Sequence, residues 1–419
     1  MGKQFRTRVC RICRSQDLME VINYGKVALA DSFLSSHEDI KNELKYDLRL
    51  CICGSCKHIQ IDEIIDPELM FNHYPWETGI SKSIIEYADE MSEKLINCFS
   101  TVSPNSRPRV IEIASNDGTL LKVFKSQGCE ILGIDPAKNI AKKANDRSIH
   151  TIPDFFDSQI AETIVSDYGK WDICIARNVL AHVKELHSLV EGIRTVLHED
   201  GFVVIEVPHL QSMFEDLQYD QVFHEHIGYH SLDSIQRLFE LHSMELFDVE
   251  SLWIHGGSLR IFLQHSGGPR EIAEEVRNTL EAEKAIDLLD EKTWYKYSER
   301  VDKHKESLMG ELIRIKENHQ SIAIYGASGK GQSLLQFCGI NNGLINYVVD
   351  KSPLKQGKIT PGTHINIYGP ERIYGDLPDV ILLCAWNIAD EIVAQEKKFI
   401  DLGGKFLIPF PSPHYYNEN

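Results

Sequence analysis

The chain has 419 residues, 42% of them hydrophobic and 25% charged, with a formal net charge of −18. That size and balance describe two or three folded domains, each able to bury a core. The acidic excess repels nucleic-acid backbones and anionic membranes, so neither is an expected partner, and a phosphorylated substrate would need a local basic pocket.

No apolar run reaches bilayer length, and the basic start at Lys3 and Arg6 has no apolar stretch behind it. No secretory signal is therefore visible, and a cytoplasmic location is expected. Ten cysteines occur, five of them between positions 10 and 56. Cys10-x-x-Cys13 and Cys53-x-x-Cys56 form two knuckles, in which a two-residue spacing lets both thiolates face one ion. Four thiolates give closed tetrahedral coordination, so zinc is expected here in a structural role with no open position for chemistry. The 39 residues between the pairs exceed the usual ribbon spacing, and Cys51 competes with Cys53 without keeping the two-residue step. Buried or redox thiols are the alternative.

Along the chain, Ile80 to Phe99 has the helical period, with Ile84, Tyr87, Met91 and Leu95 on one stripe. Strands and helices then alternate. Val110–Ala114, Ile131–Ile134, Trp171–Ala176 and Phe202–Val207 read as strands, with helices over Gly118–Ser126, after Pro136 and over Leu186–Leu197. This order predicts a mostly parallel, doubly wound sheet. Leu246–Leu252 and Leu259–His265 flank His255-Gly256-Gly257 and would close that sheet as a hairpin. Residues 270–318 are charged and helical in period, and read as solvated surface between domains. A second alternating unit follows, with strands at Ser321–Tyr325, Tyr347–Val349, Val380–Leu383 and Phe406–Ile408.

Glu112-Ile113-Ala114-Ser115-Asn116-Asp117-Gly118 occupies a strand-to-helix turn, where small residues let the backbone approach a nucleoside. It lacks a full G-x-G-x-x-G, which disfavours a dinucleotide. Asp135, before Pro136, ends the second strand 18 residues after Asp117, where a carboxylate can accept ribose hydroxyls. Phe155 and Phe156 supply rings that can stack on adenine. Gly326-Ala327-Ser328-Gly329-Lys330-Gly331 lacks the gap and hydroxyl of a P-loop, which rejects an ATPase or kinase. Lys330 could still meet a diphosphate, or lie on solvated surface. His224-Glu225-His226 is compatible with a second metal, but no further ligand cluster accompanies it.

These motifs occur in one order with Asn178-Val179-Leu180-Ala181-His182-Val183, His255-Gly256-Gly257-Ser258-Leu259-Arg260, Asp350-Lys351 and Trp386-Asn387. The ordered set resembles the sugar C-methyltransferases that act on 4-keto nucleotide sugars, over nearly the whole chain. The resemblance implies an α/β architecture. A four-cysteine zinc module (1–72) would precede a class I methyltransferase Rossmann-like domain (73–266) that binds S-adenosylmethionine. A second Rossmann-like domain (267–419) would seat the nucleotide sugar. It implies that Glu112, Ala114, Ser115, Asn116, Asp117, Gly118, Asp135, Pro136, Phe155, Phe156 and Asn178 line the cofactor pocket. His182, His224, Glu225, His226 and Tyr74 would face the chemistry. Trp76, Phe223, His255, Gly256, Ser258, Arg260, Lys330, Asp350, Lys351, Trp386 and Asn387 would contact the substrate.

The implied chemistry is physically coherent. A carbon beside a ketone is acidic, histidine suits proton removal near neutral pH, and the enolate can attack a sulfonium methyl. His226 is read as the base, with Glu225 supporting it or holding a sugar hydroxyl and His182 polarising the ketone or contacting the sugar. The sequence departs from the family where Phe223 replaces a tyrosine, for which Tyr219 or Tyr229 could compensate, and at Tyr74-Pro75-Trp76. The alternatives are methyl transfer to a sugar oxygen or nitrogen, an NAD-dependent oxidoreductase or epimerase, and a zinc scaffold without activity. A monomer or small homo-oligomer is expected.

Overall fold

The computed structural model describes residues 4–7, 9–66, 70 and 82–416. Its first region is built on β1 (Gln4–Arg6), β2 (Leu18–Ala28), β3 (Lys45–Cys53), β4 (Ile59–Ile61) and β5 (Glu63–Ile65). β2, β3 and β4 pair antiparallel in succession, and β1 pairs with β5 apart from them. The two cysteine knuckles lie at one end of this sheet, because β2 and β3 span the long gap between them.

The central region begins with α1 (Lys82–Ser100). Then come β6 (Arg109–Ile113), α2 (Thr119–Ser126), β7 (Glu130–Ile134), α3 (Lys138–Asp146), β8 (Thr151–Ile152), α4 (Ser158–Tyr168) and β9 (Trp171–Arg177). They are followed by α5 (Leu186–Val196), β10 (Leu197–Pro208), α6 (Leu210–Glu215), β11 (Gly228–Tyr229), α7 (Leu232–Glu240), β12 (Met244–Leu252) and β13 (Ser258–His265). The sheet order is β12-β13-β10-β9-β6-β7-β8, parallel except for β13. β12 and β13 are the expected closing hairpin. The inner strands are apolar on both faces, as a sheet covered by helices on both sides requires. Local signals set helix starts: the Asp157 carboxylate accepts from the backbone of Gln159 and Ile160, both at 2.9 Å, and Ser231 and Ser234 form a capping box.

β11 does not join that sheet. It pairs with β4, so the first region's sheet reads β11-β4-β3-β2 and takes its last strand from the middle of the chain. The three sequence-defined modules are therefore interlaced.

The last region carries α8 (Glu274–Ala285), α9 (Glu291–Glu317), β14 (Ile322–Tyr325), α10 (Gly329–Cys338) and β15 (Tyr347–Val349). After these come β16 (Ile367–Tyr368), β17 (Val380–Leu383), β18 (Lys405–Ile408) and β19 (His414–Tyr415). Its sheet order is β16-β15-β14-β17-β18-β19, parallel but for β19. The expectation of a solvated connector at 270–318 is corrected for α9. Trp294, Tyr297, Val301, Leu308, Leu312 and Ile315 are buried at steps of three, four and seven. They share one core with Val21, Ile22 and Tyr24 of β2 and with Ile322 and Ile324 of β14. Charge on the other helix face hid this apolar stripe. Among the described residues no helix is long and apolar enough to cross a membrane.

Candidate active site

The four knuckle cysteines converge. Their sulfurs lie within 4.8 Å of one another, with Cys10 Sγ 3.4 Å from Cys56 Sγ and Cys13 Sγ 3.6 Å from Cys53 Sγ. Four sulfurs about 2.3 Å from a tetrahedral zinc would stand about 3.8 Å apart, so the set fits the ion with a small adjustment. The Cys56 backbone N–H also donates to Cys53 Sγ at 3.5 Å. Cys51 lies outside the group. The site is docked on the central region: His187 Nε2 donates to the Ile12 carbonyl at 2.9 Å, and Arg11 Nη2 to the Lys184 carbonyl at 3.0 Å.

The cofactor candidates gather at the carboxyl ends of β6, β7 and β9, the crevice where open α/β sheets bind ligands. Ala114, Asn116 and Asn178 all have left-handed backbone there, with φ of 55°, 51° and 54°. Such strain outside glycine clusters at functional turns. Asp135 sits beneath the turn. Its Oδ2 accepts from the Asn116 N–H at 2.8 Å and its Oδ1 from the Ala137 N–H at 2.9 Å, which leaves lone pairs for a ribose. Burial raises its pKa. Glu112 is buried at the end of β6, where Arg177 Nη2 donates to its Oε1 at 2.7 Å. Its Oε2 has no hydrogen-bond partner among the described residues, and burial outweighs Arg177 to raise its pKa to about 7. Asp117 is turned the other way, toward Thr119 Oγ1 at 2.7 Å and Arg147 Nη1 at 2.9 Å. Of the two phenylalanines, Phe155 is 37% exposed and free to stack, whereas Phe156 packs in the core against Gly192. The expected role of Phe156 in adenine contact is corrected accordingly.

The segment Val222–Ile227 lies where all three regions meet. His226 Nδ1 is 3.1 Å from the Gln221 carbonyl and must donate to it, which leaves Nε2 as a lone-pair base. Its ring meets that of His182 edge-on, centroids 4.9 Å apart. Burial, then the neighbouring His182 and Lys330, hold His226 well below the usual imidazole pKa, and burial lowers His182 to about 4. Both are neutral at pH 7. His224 faces away from this pair: its Nε2 donates to the Asp47 carbonyl of β3 at 3.1 Å and its ring abuts Tyr46. It ties the segment to the zinc region, and no second metal cluster forms among the described residues. Glu225 is buried, and burial with the neighbouring Asp31 carboxyl raises its pKa well above the usual carboxylate range.

Phe223 lies over His226, ring centroids 4.2 Å apart, and fills the space left by the missing side chain of Gly329. Neither tyrosine replaces its lost hydroxyl. Tyr229 donates to the His226 carbonyl at 2.9 Å, and Tyr219 OH is 3.0 Å from His304 Nδ1 inside the core. Tyr74 and Trp76 lie outside the described residues.

Of the expected substrate contacts, Lys330 and Trp386 reach the same cleft. Lys330 Nζ donates to the His255 carbonyl at 2.7 Å, and Trp386 Nε1 donates to Asp220 Oδ2 at 2.7 Å. A Cβ at Gly256, whose φ is 87°, would stand 2.9 Å from the Trp386 ring, so this glycine permits the last region to dock. Three of the expected contact residues have polar atoms engaged within the chain. Arg260 is buried, with Nε on Glu206 at 2.8 Å, Nη1 on Glu250 at 3.1 Å and Nη2 on Tyr87 OH at 2.5 Å. Ser258 closes its own turn onto the Ile254 carbonyl at 3.0 Å, and Lys351 bonds Gln395. Asp350 accepts from the Ala327 N–H at 2.7 Å and stands 3.7 Å from Lys355 Nζ. Asn387 is half-buried in the middle of the 3-10 turn Trp386–Ile388.

Sequence reasoning missed Asp31, Arg177, Glu206 and Asp220. Arg177 and Asp220 directly precede or lie near recognised motifs, and that adjacency was the available signal. Asp31 carried none.

Comparison with known proteins bears on the whole chain. Residues 10–71 match a zinc binding domain family, 85–245 a methyltransferase domain family and 253–411 the C-methyltransferase C-terminal domain family. C-methyltransferase NovU of Streptomyces niveus is 34% identical over 406 residues, covering 96% of each chain. Among solved structures, the PH0226 protein of Pyrococcus horikoshii OT3 is 16% identical with a TM-score of 0.36, covering 46% of this chain and 96% of its own. The plantazolicin methyltransferase BpumL, in complex with a desmethylPZN analogue and SAH, is 12% identical with a TM-score of 0.36, covering 43% and 85%.

Proposed function

The chain belongs to the zinc-containing C-methyltransferase family and is an S-adenosylmethionine-dependent enzyme; on that premise we propose that it methylates a ring carbon, C3, of a 4-keto-deoxy nucleotide sugar. Family membership displaces the oxygen- or nitrogen-transfer, NAD-dependent and scaffold alternatives. The observation that supports the proposal is His226, a neutral imidazole with its tautomer set by the Gln221 carbonyl, its ring against that of His182 and its positive form disfavoured by burial and by Lys330.

His226 Nε2 takes the proton from the carbon beside the ketone, and the electron pair moves onto the ketone oxygen. His182 is positioned to polarise that oxygen, where hydrogen bonds lower the barrier most. When bound, S-adenosylmethionine supplies an electrophilic methyl on sulfur. Glu112 and Asp135 give the crevice an acidic lining that suits this cationic donor, and Phe155 offers a ring for its adenine. On the other side, Lys330 would meet the nucleotide diphosphate and Trp386 would bound the sugar.

The test is a mass-spectrometric screen of 4-keto-6-deoxy nucleotide sugars for gain of one methyl unit. It is paired with deuterium uptake at the ring carbon in D2O without methyl donor. Exchange that depends on His226 is expected; methylation without exchange, or on a non-sugar acceptor alone, overturns the reading.

A further inference from the structure

Two segments of the central region carry the histidines of the cleft, and both rest on the zinc region. The first is the turn at residues 178–183, in which the His182 N–H donates to the Val179 carbonyl at 2.9 Å. The second is residues 222–227, which run into β11. The two are joined where the Ile227 N–H donates to the Ala181 carbonyl at 2.7 Å. β11 then pairs with β4, Gly228 opposite Gln60 and Tyr229 opposite Ile59, and the Ile61 N–H donates to the Ile227 carbonyl at 3.3 Å.

Arg11, inside the first cysteine knuckle, bears on both segments. Its side chain is buried. Its Nη2 donates to the Val183 carbonyl and, at 3.0 Å, to the Lys184 carbonyl, the two that directly follow His182. Its Nη1 lies against the other segment: a Cβ on Gly228, two residues past His226, would stand 3.2 Å from it. Gln60 fixes the backbone from which Arg11 reaches. The Gln60 Oε1 accepts from the Arg11 N–H at 2.8 Å, and the same residue is the strand partner of Gly228. A rigid planar guanidinium can hold two directions at once, which an ammonium on a flexible stem cannot. Arg11 Nε and Nη1 make no hydrogen bond among the described residues, so an apolar side chain would fill this space at lower cost to stability.

We propose that Arg11 is a positioning residue for methyl transfer: it grips the end of the His182 turn while bearing on Gly228, and so sets the separation of the His182 and His226 rings. Those rings meet edge-on with centroids 4.9 Å apart. A misplacement of about 1 Å at such a pair costs about 100-fold in rate. The zinc region thereby fixes the reaction geometry without touching the substrate. The catalytic part rests on the sugar C-methylation reading; the grip itself does not.

Two measurements on the full chain with zinc bound test this. Nitrogen-15 spectra of ring-labelled histidine need neither substrate nor donor. Arg11→Met should shift or double the His182 and His226 signals. His304, bonded to the Pro409 carbonyl in the core of the last region, should stay where it was. Unchanged His182 and His226 signals overturn the proposal, as does a shift of His304 along with them, which would mark general loosening. Arg11→Lys keeps a cation and reaches one segment only; it should move the same two signals by less, and it serves where the methionine variant does not fold. The second measurement is turnover of whichever acceptor the methyl-gain screen identifies. kcat should fall by about 100-fold in Arg11→Met and by less in Arg11→Lys, with zinc content and the KM for S-adenosylmethionine unchanged. A wild-type kcat, or loss of zinc and donor binding in step with kcat, overturns the positioning role. If keto sugars yield no product and another acceptor does, the substrate reading fails while both measurements on Arg11 still decide its role.

Discussion

The two Rossmann-like units treat the same acid differently. In each, an aspartate just past the second strand accepts from the turn after the first strand: Asp135 from Asn116 at 2.8 Å, Asp350 from Ala327 at 2.7 Å. In each, the other oxygen accepts from the backbone two residues on, Ala137 at 2.9 Å or Ser352 at 2.8 Å. The difference is a cation. Lys355 Nζ stands 3.7 Å from Asp350 and bonds the carbonyl of the same turn, whereas no ion pair reaches Asp135 among the described residues. The fold supplies the acid in both units, and the counter-charge decides whether a ligand finds it free. On the reading proposed above, the acid of the first unit is the one left for a cationic nucleoside, while that of the second is matched by Lys355.

The largest expected effect separates the two units from the chemistry between them. His226→Asn should lower turnover by about 10²- to 10⁴-fold with S-adenosylmethionine binding unchanged by calorimetry; loss of donor binding would put His226 in the first unit's pocket instead. Next, Cys10→Ser should release zinc and lower the melting temperature, loosening the sheet that braces both units; retained zinc by atomic absorption would break the four-cysteine assignment.

A matched pair of variants separates the two aspartates. Asp135→Ala should weaken donor binding by about 3 kcal/mol, or about 100-fold, through two lost charged hydrogen bonds, while Asp350→Ala leaves it unchanged. Equal losses in the two variants would refute the difference drawn here.

The smallest effect is a pH dependence. With its pKa raised to about 7, Glu112 is partly protonated at neutrality. Donor affinity should therefore fall as the pH drops below 7 and the acidic lining is lost, with a slope of at most about tenfold per unit. In the donor-free protein the sign reverses. Ionising Glu112 in the fold is harder than in the unfolded chain, so stability should decline as pH rises from about 4.5 to 7. Glu112→Gln should flatten both curves, as read by calorimetry and thermal melts.

Much of this was legible from residue order. The β6, β7, β9 and β10 strands, the closing hairpin and the zinc cysteines needed only periodicity and spacing. The charged run at 270–318 misled because Trp294, Tyr297 and Val301 are few among many lysines and glutamates, and a stripe that narrow is outvoted by composition. Phe156 misled for the opposite reason: aromatic character cannot tell a stacking ring from a core ring until Gly192 is seen beneath it. Arg260, read as a contact for substrate, turned out to be spent on Glu206, Glu250 and Tyr87.

By itself the sequence determined what depends on neighbours in the chain: the alternating strands and helices, the paired thiols, the small-residue turn with its aspartate, and the histidines flanking Glu225. Tertiary structure alone decided which of these groups are free. It recruited β11 to the zinc sheet, neutralised Asp350 with Lys355, turned His224 toward Asp47 and brought Asp31 to Glu225. The physical reason is that a charge or hydrogen-bonding group acts according to what stands within a few ångströms of it, and those partners come from segments up to about two hundred residues away along the chain.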